Sequence, residues 1–417
     1  MNAAITSTPM IAEAERTTGL TAAARTAPKA SRSVSVGYLR AFVTVLVVAH
    51  HAVLAYYPFA PPRPASLLAQ PRWWQAFPVI DAQRWTGFAL FVGFNDVFFM
   101  SLMFLLSGLF VWNSLRRKGA QTFLRDRALR LGVPFALAAA LIAPIAYYPA
   151  YLQTGGVGLS GFWKIWRSLG NWPAGPAWFV WVLLAFDAVA AGLLLIAPKW
   201  GESLGRTLSR VSHRPIAFFA VLVAASAAVY LPMVAKFGSF DWTSAGPFFF
   251  QTSRIFHYLI YFLIGAGLGA CGLDSGLLAP QGKLARRWYL WAGSASLLFG
   301  VAIVATIAAV SSPNSHLPWE LIGGCAFVLS CAASSLAFLA LFVRFARNRV
   351  KLFDSLSDNA YGIYLIHYAF VSWLQYALLK ASLPGVAKGF IAFAGALALS
   401  WISIAALKRI PAVARVI

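Results

Sequence analysis

Apolar stretches of about twenty residues recur from one end of the chain to the other, separated by short polar gaps. Ten can be marked, near 36–57, 90–114, 131–151, 176–197, 215–235, 249–271, 287–310, 319–343, 359–380 and 386–407. Each can cross a hydrocarbon layer about 30 Å thick at about 1.5 Å per residue. In lipid each must be a helix, because no water is present to partner its backbone amides. The expected fold class is an all-α polytopic membrane protein with about ten transmembrane helices.

Lys and Arg sit in alternate gaps: Arg116 to Arg130, Lys199 to Arg214, Lys283 to Arg287, and Arg344 to Lys351, with more in the two tails. The intervening gaps are poorer in them, so the positive-inside rule places the basic gaps and both tails in the cytoplasm. Residues 1–33 are rich in Ala, Thr and Ser without an apolar core; they read as a disordered cytoplasmic tail rather than a cleavable signal. Residues 34–410 form the membrane domain and 411–417 a short cytoplasmic tail. The expected location is the cell (inner) membrane, with multiple passes.

The net charge of +22 raises a nucleic-acid partner. That reading is set aside, because the basic residues lie in short clusters between apolar runs and suit an anionic lipid surface instead. Cys271, Cys325 and Cys331 show no paired framework and no metal-ligand spacing, and read as buried small residues.

Ionisable side chains inside a bilayer are costly and therefore point to function. In the first helix Arg40 and His51 are eleven positions apart. At about 100° per residue that is three turns plus about 20°, so they share one face about 16 Å apart. An Arg could hold an anionic donor at one end of a tunnel while a neutral imidazole removes a proton at the other. Equally, Arg40 could be a cytoplasmic anchor and His51 a packed polar residue. His50 points about 100° away. Asp96 lies at a depth similar to His51 and could orient it. Arg127 and Arg130 lie one turn apart and could bind phosphate or simply anchor the helix. Trp178 opens the fourth helix, with Asp187 near its middle. Tyr361 and His367 lie in the ninth, and Arg254 and His257 in the sixth. Any of these could instead form structural contacts between helices. The loops 58–89 and 152–175 carry Trp73, Trp74, Trp163, Trp166 and Trp172, read as an interfacial belt or as a sugar-stacking rim.

Taken together these pieces resemble the membrane-bound acyltransferase-3 family. That family includes polysaccharide O-acyltransferases and the glucans biosynthesis protein that succinylates periplasmic glucans. The matching features are Arg40 with His51, the stretch Phe98-Phe99 to Ser107-Gly108, Arg127 with Arg130, Trp178-Phe179, and the run from Ser357 through Tyr361 and Tyr364 to His367. The resemblance implies transfer of an acetyl or succinyl group from cytoplasmic acyl-coenzyme A, used as a co-substrate, to a hydroxyl of a cell-envelope glycan or small molecule. It implies His51 as catalytic histidine with Arg40 as its motif partner, Arg127 and Arg130 at the coenzyme A site, and no metal. Trp178, Arg254, Tyr361 and His367 are carried as substrate-binding candidates, Arg254 as a cation for a carboxylate-bearing acyl group. Pro176 departs from the family pattern, where a His commonly precedes the Trp-Phe pair. The chain is expected to be the short form, without a fused extracellular hydrolase-like domain. A transporter or flippase without acyl-transfer chemistry is the alternative.

Overall fold

Among the described residues, nine helical segments are long and apolar enough to cross a membrane. The computed structural model describes residues 34–311 and 316–417; the expected tail at 1–33 lies outside them. Helix α1 runs Val34–Val53 and α2 Gly87–Gly108. Helices α3 (Val111–Arg127), α4 (Val133–Leu137) and α5 (Ala143–Gln153) form one path through π turns at Ala128–Gly132 and Ala138–Ile142. A short α6 (Leu159–Arg167) precedes α7 (Trp178–Ile196), α8 (Trp200–Ser212) and α9 (Pro215–Phe237). A hairpin of β1 (Trp242–Ala245) and β2 (Phe248–Gln251) follows, antiparallel, with Trp242 opposite Gln251. Then come α10 (Ile255–Cys271), α11 (Trp288–Ser311), α12 (His316–Phe345), α13 (Lys351–Ala377) and α14 (Gly385–Leu407).

The nine apolar segments account for every expected run except 359–380, which is α13. That helix has 27 residues but carries Asn359, His367, Ser372 and Gln375 on its buried side. It packs against α1, α5 and α14, so its polar face meets protein rather than lipid, where such a face is tolerated. The expected 411–417 tail holds a short helix, Pro411–Val416, and the Ile417 side chain returns to the core.

Three glycines set the closest helix contact. A Cβ at Gly108 on α2 would meet the Phe262 carbonyl, and Cβ atoms at Gly265 and Gly269 on α10 would meet the Leu105 and Leu109 carbonyls. Without a hydrophobic drive between helices in lipid, such close approach through small residues is a main source of association. The Ser107-Gly108 feature of the sequence thus has a packing reason. Cys331 is buried, but Cys325 is exposed, correcting the expectation for it: its position on α12 faces outward, away from the bundle.

The Trp-rich loops are partly core. Trp74 and Trp166 are buried with Tyr147, Tyr151, Phe162 and Tyr368 in one cluster, whereas Trp73 and Trp163 stay exposed. A buried ion pair holds the loop between α1 and α2 to α14: Lys388 Nζ donates to Asp81 Oδ2 at 2.7 Å, with 1% and 3% of the two side chains exposed.

Two outcomes test this architecture. Lys388→Met should destabilise the protein by about 3–5 kcal/mol, because it leaves a buried carboxylate without its cation. Adding Asp81→Leu should recover much of that loss, as read by thermal unfolding in detergent. Reporter fusions at residues 120, 205, 280 and 348 should all report one side of the membrane, and fusions at 65, 160 and 240 the other; a single clear reversal breaks the crossing order.

Candidate functional site

Helix α1 is unbroken through His51, so the face shared by Arg40 and His51 survives folding. The two neighbouring histidines diverge. His50 stacks on Phe99 of α2 with ring centroids 5.2 Å apart, while His51 turns toward α13 and meets His367 and the edge of Tyr368. His51 Nδ1 is 2.8 Å from the Val47 carbonyl oxygen. A carbonyl only accepts, so Nδ1 carries the proton and Nε2 holds the free lone pair. His367 is set the same way: its Nδ1 lies 2.7 Å from the Tyr364 carbonyl. Its Nε2 is therefore an acceptor, and it faces His51 Nδ1 at 3.3 Å. Two backbone carbonyls thus hold the two rings through Nδ1, and Nε2 of His51 lies on the other side of its ring. Gln375 of α13 secures this stretch of α1 by donating to the His51 and Ala52 carbonyls at 2.9 and 3.0 Å.

Asp96 does not orient His51. Its carboxylate is taken by Arg254, which donates from NH2 to Oδ2 at 2.7 Å and from NH1 to the Asp96 carbonyl at 3.0 Å. A guanidinium is a far stronger partner for a carboxylate than a neutral imidazole, and His51 Nδ1 is already satisfied within its own helix. Arg254 is buried and lies over the Phe327 ring at 4.5 Å, with its Nε left without a hydrogen-bond partner. His257 shares the Phe327 ring with Arg254 and faces Ser101 at 3.1 Å and Cys331 at 3.5 Å.

Arg127 and Arg130 do not form one clamp. The π turn that begins at Ala128 widens the helix between them, and the usual one-turn alignment is lost. Arg127 Nε lies 3.2 Å from Asp187 Oδ2 on α7, as an ion pair without an aligned hydrogen bond, and its guanidinium sits over Phe123. Arg130 is exposed. Tyr361 is tied to this turn, its hydroxyl donating to the Arg130 carbonyl at 2.7 Å. Trp178 is the first residue of α7 and packs edge-on against Trp242 of the hairpin. The structure therefore brings His51 and His367 together and sets Asp96 with Arg254, Arg130 with Tyr361, and Trp178 with the hairpin.

Sequence reasoning missed the Val47 carbonyl and Tyr368 as the surroundings of His51, since backbone partners leave no signature in residue type. It also passed over Lys388, a lone cation in an apolar run whose cost alone signals a buried partner. Among the described residues no three His, Cys, Asp or Glu side chains are gathered as a metal site.

No curated protein and no solved structure matches the chain. A family model described as an acyltransferase domain matches residues 34–405, nearly the whole membrane bundle with its paired histidines. The chain belongs to the acyltransferase-3 family of membrane acyltransferases.

Proposed function

We propose that the protein takes an acyl group from acyl-coenzyme A at its basic, cytoplasmic face in the inner membrane. It passes the group to a hydroxyl of a cell-envelope glycan or related small acceptor reaching the site from the other side. The observation that carries this reading is the fixed His51 tautomer, with a neutral basic nitrogen deep in the bundle. His51 Nε2 takes the hydroxyl proton as the acceptor oxygen attacks the thioester carbonyl carbon. The tetrahedral intermediate collapses, the carbon–sulfur bond breaks, and coenzyme A leaves as a thiolate that receives the proton from His51. His367 keeps His51 in its productive tautomer and is a positioning residue. Arg130 and its basic neighbours receive the coenzyme A phosphates, and Arg40 continues that cationic path along the His51 face. Trp178, at the start of α7, and Tyr361, within α13, are contacts for the acceptor and donor sides. Family membership makes the protein an acyltransferase, so the reading as a transporter without chemistry falls.

His51→Ala should lower acyl transfer by about 10²–10⁴-fold, whereas His50→Ala should retain substantial activity. Both should insert normally, since each change makes α1 more apolar. Activity should fall as the solution is acidified, because an imidazolium cannot accept a proton. Acyl transfer by purified protein in liposomes at matched concentration is the measurement; an inactive His50→Ala beside an active His51→Ala would sink the assignment.

The two arginines should separate by readout. Arg130→Ala should leave thermal stability unchanged and weaken coenzyme A binding by roughly 10–150-fold, the loss of one charge-assisted hydrogen bond at about 1.5–3 kcal/mol. Arg127→Ala should instead destabilise the fold by about 3–5 kcal/mol, because buried Asp187 loses its cation. Equal effects on binding and none on stability for both would show that they act as one clamp after all.

A further inference from the structure

An open pocket of about 470 Å³ lies where the turn between α13 and α14 meets the loop joining α1 to α2. That volume is within the roughly 300–1,000 Å³ of small-ligand sites, and the chemistry so far described makes no use of it. Its floor is the buried Lys388–Asp81 ion pair, and its rim carries Gln83 from the loop and Ser382 from the turn, both exposed. The floor is braced from several directions. Lys388 Nζ also donates to the Leu379 carbonyl at 3.4 Å, and Asp81 Oδ1 accepts from the Gln83 backbone N–H at 2.8 Å. Gly385 lets the start of α14 close on the loop, since a Cβ there would meet the Gln83 carbonyl at 2.7 Å. Walls tied in this way form the pocket without help from a ligand, as is usual for small-molecule sites.

The pocket sits at the end of the seam between α1 and α13 that carries His51 and His367. At the level of His51, Gln375 of α13 donates to the His51 and Ala52 carbonyls. Ala55 follows His51, and Leu379 follows Gln375, each four residues on. That spacing is about one turn along and only about 40° around the axis, so both stay close to the seam. The Ala55 carbonyl accepts from the Asp81 N–H at 3.0 Å, and Leu379 lines the pocket. The pocket and His51 are thus related by direction as well as by depth.

The lining selects a chemistry. Its charged groups are Asp81 and Lys388, and these neutralise each other. An anionic group would therefore lose water here without gaining a free cation. The Gln83 amide and the Ser382 hydroxyl each donate and accept, as a ligand hydroxyl also does. Leu379, Leu383 and Pro384 supply apolar surface beside them. Hydroxyls around an edge with C–H groups on the faces describe an uncharged sugar ring.

Resting on the acyl-transfer reading above, we propose that this pocket docks the acceptor, that it takes an uncharged, hydroxyl-rich sugar unit and refuses an anionic one, and that Gln83 and Ser382 bond the hydroxyls that do not react. The reacting hydroxyl then projects along the α1–α13 seam toward His51.

The test uses the full-length protein in nanodiscs. Ser382→Cys, in a Cys325→Ala background, is labelled with a water-soluble maleimide. The rate is followed with methyl glycosides of neutral hexoses, with a glucan oligosaccharide, and with glycerol phosphate as the anionic probe. At least one neutral sugar should slow labelling roughly 10-fold when present at about ten times its dissociation constant, and glycerol phosphate should not. Adding Gln83→Ala should weaken the sugar roughly 2–12-fold, the loss of one ordinary hydrogen bond, with thermal unfolding unchanged. Ser382→Trp should block acyl transfer to the protecting sugar while acyl-coenzyme A still binds. Equal protection by the free sugar and its octyl glycoside assigns a soluble or polymer-borne glycan; stronger protection by the octyl glycoside assigns a lipid-linked one, and the pocket stands in both cases. Protection by glycerol phosphate, by none of the probes, or undiminished by Gln83→Ala overturns the sugar site, and undiminished transfer in Ser382→Trp overturns its role as acceptor dock. The labelling arms contain no acyl donor, so the acyl-transfer reading fails separately, on absence of acyl-coenzyme A binding by wild type.

Discussion

A polar group placed deep in a bilayer must receive its partner from the protein, because no water stands by to supply one. That constraint explains why α13, too polar to qualify as a membrane span by composition, is enclosed by α1, α5 and α14. Its buried face, with His367, Ser372 and Gln375, is met by donors and acceptors rather than by lipid. The same requirement joins Lys388 to Asp81 and Arg254 to Asp96. In each case the partners come from elements far apart in the chain, so satisfying them also specifies which helices are neighbours. The glycines at the α2–α10 contact then allow those neighbours to close.

The crossing pattern was legible because each span announces itself by length and apolarity, and the basic gaps alternate. The face relation of His50 and His51 was legible too, since an unbroken helix rotates by a constant angle per residue. What escaped were relations that depend on breaks in that constancy. The one-turn alignment of Arg127 and Arg130 assumed an α-helix, but a π turn begins at Ala128, and nothing in Ala-Leu-Arg-Leu-Gly advertises it. Asp96 was assigned to His51 because the two share a depth. Depth says nothing about direction around the axis, and a guanidinium across the bundle outcompetes an imidazole for the carboxylate. Backbone acceptors such as the Val47 carbonyl carry no mark in the sequence, because every residue has one.

The two π turns also divide the labour along one helical path. Beside the first, Arg127 turns inward to Asp187 while Arg130 stays exposed, so a buried cation and an exposed one come from neighbouring positions. At the second, the Trp172 indole N–H caps the Ala139 carbonyl at 2.6 Å. The path thus departs from regular geometry twice within fifteen residues, and such turns are generally associated with functional sites.

The surroundings of His51 bear on how long it can hold a proton. In hydrolases whose histidine leans on a buried carboxylate, that charge stabilises the imidazolium formed during attack. Here the nitrogen opposite the base faces a neutral carbonyl at 2.8 Å and a second neutral ring at 3.3 Å, and the nearest carboxylate on α2 is neutralised by Arg254. Neither partner of His51 offers the full charge compensation of a carboxylate. On the proposed mechanism the imidazolium is then a brief species, and the proton is best passed on as soon as an acceptor forms. The departing thiolate is that acceptor, generated within the same collapse and at the same site. Base and acid are thus one residue acting in sequence, and the missing carboxylate favours rapid return of the proton over its storage.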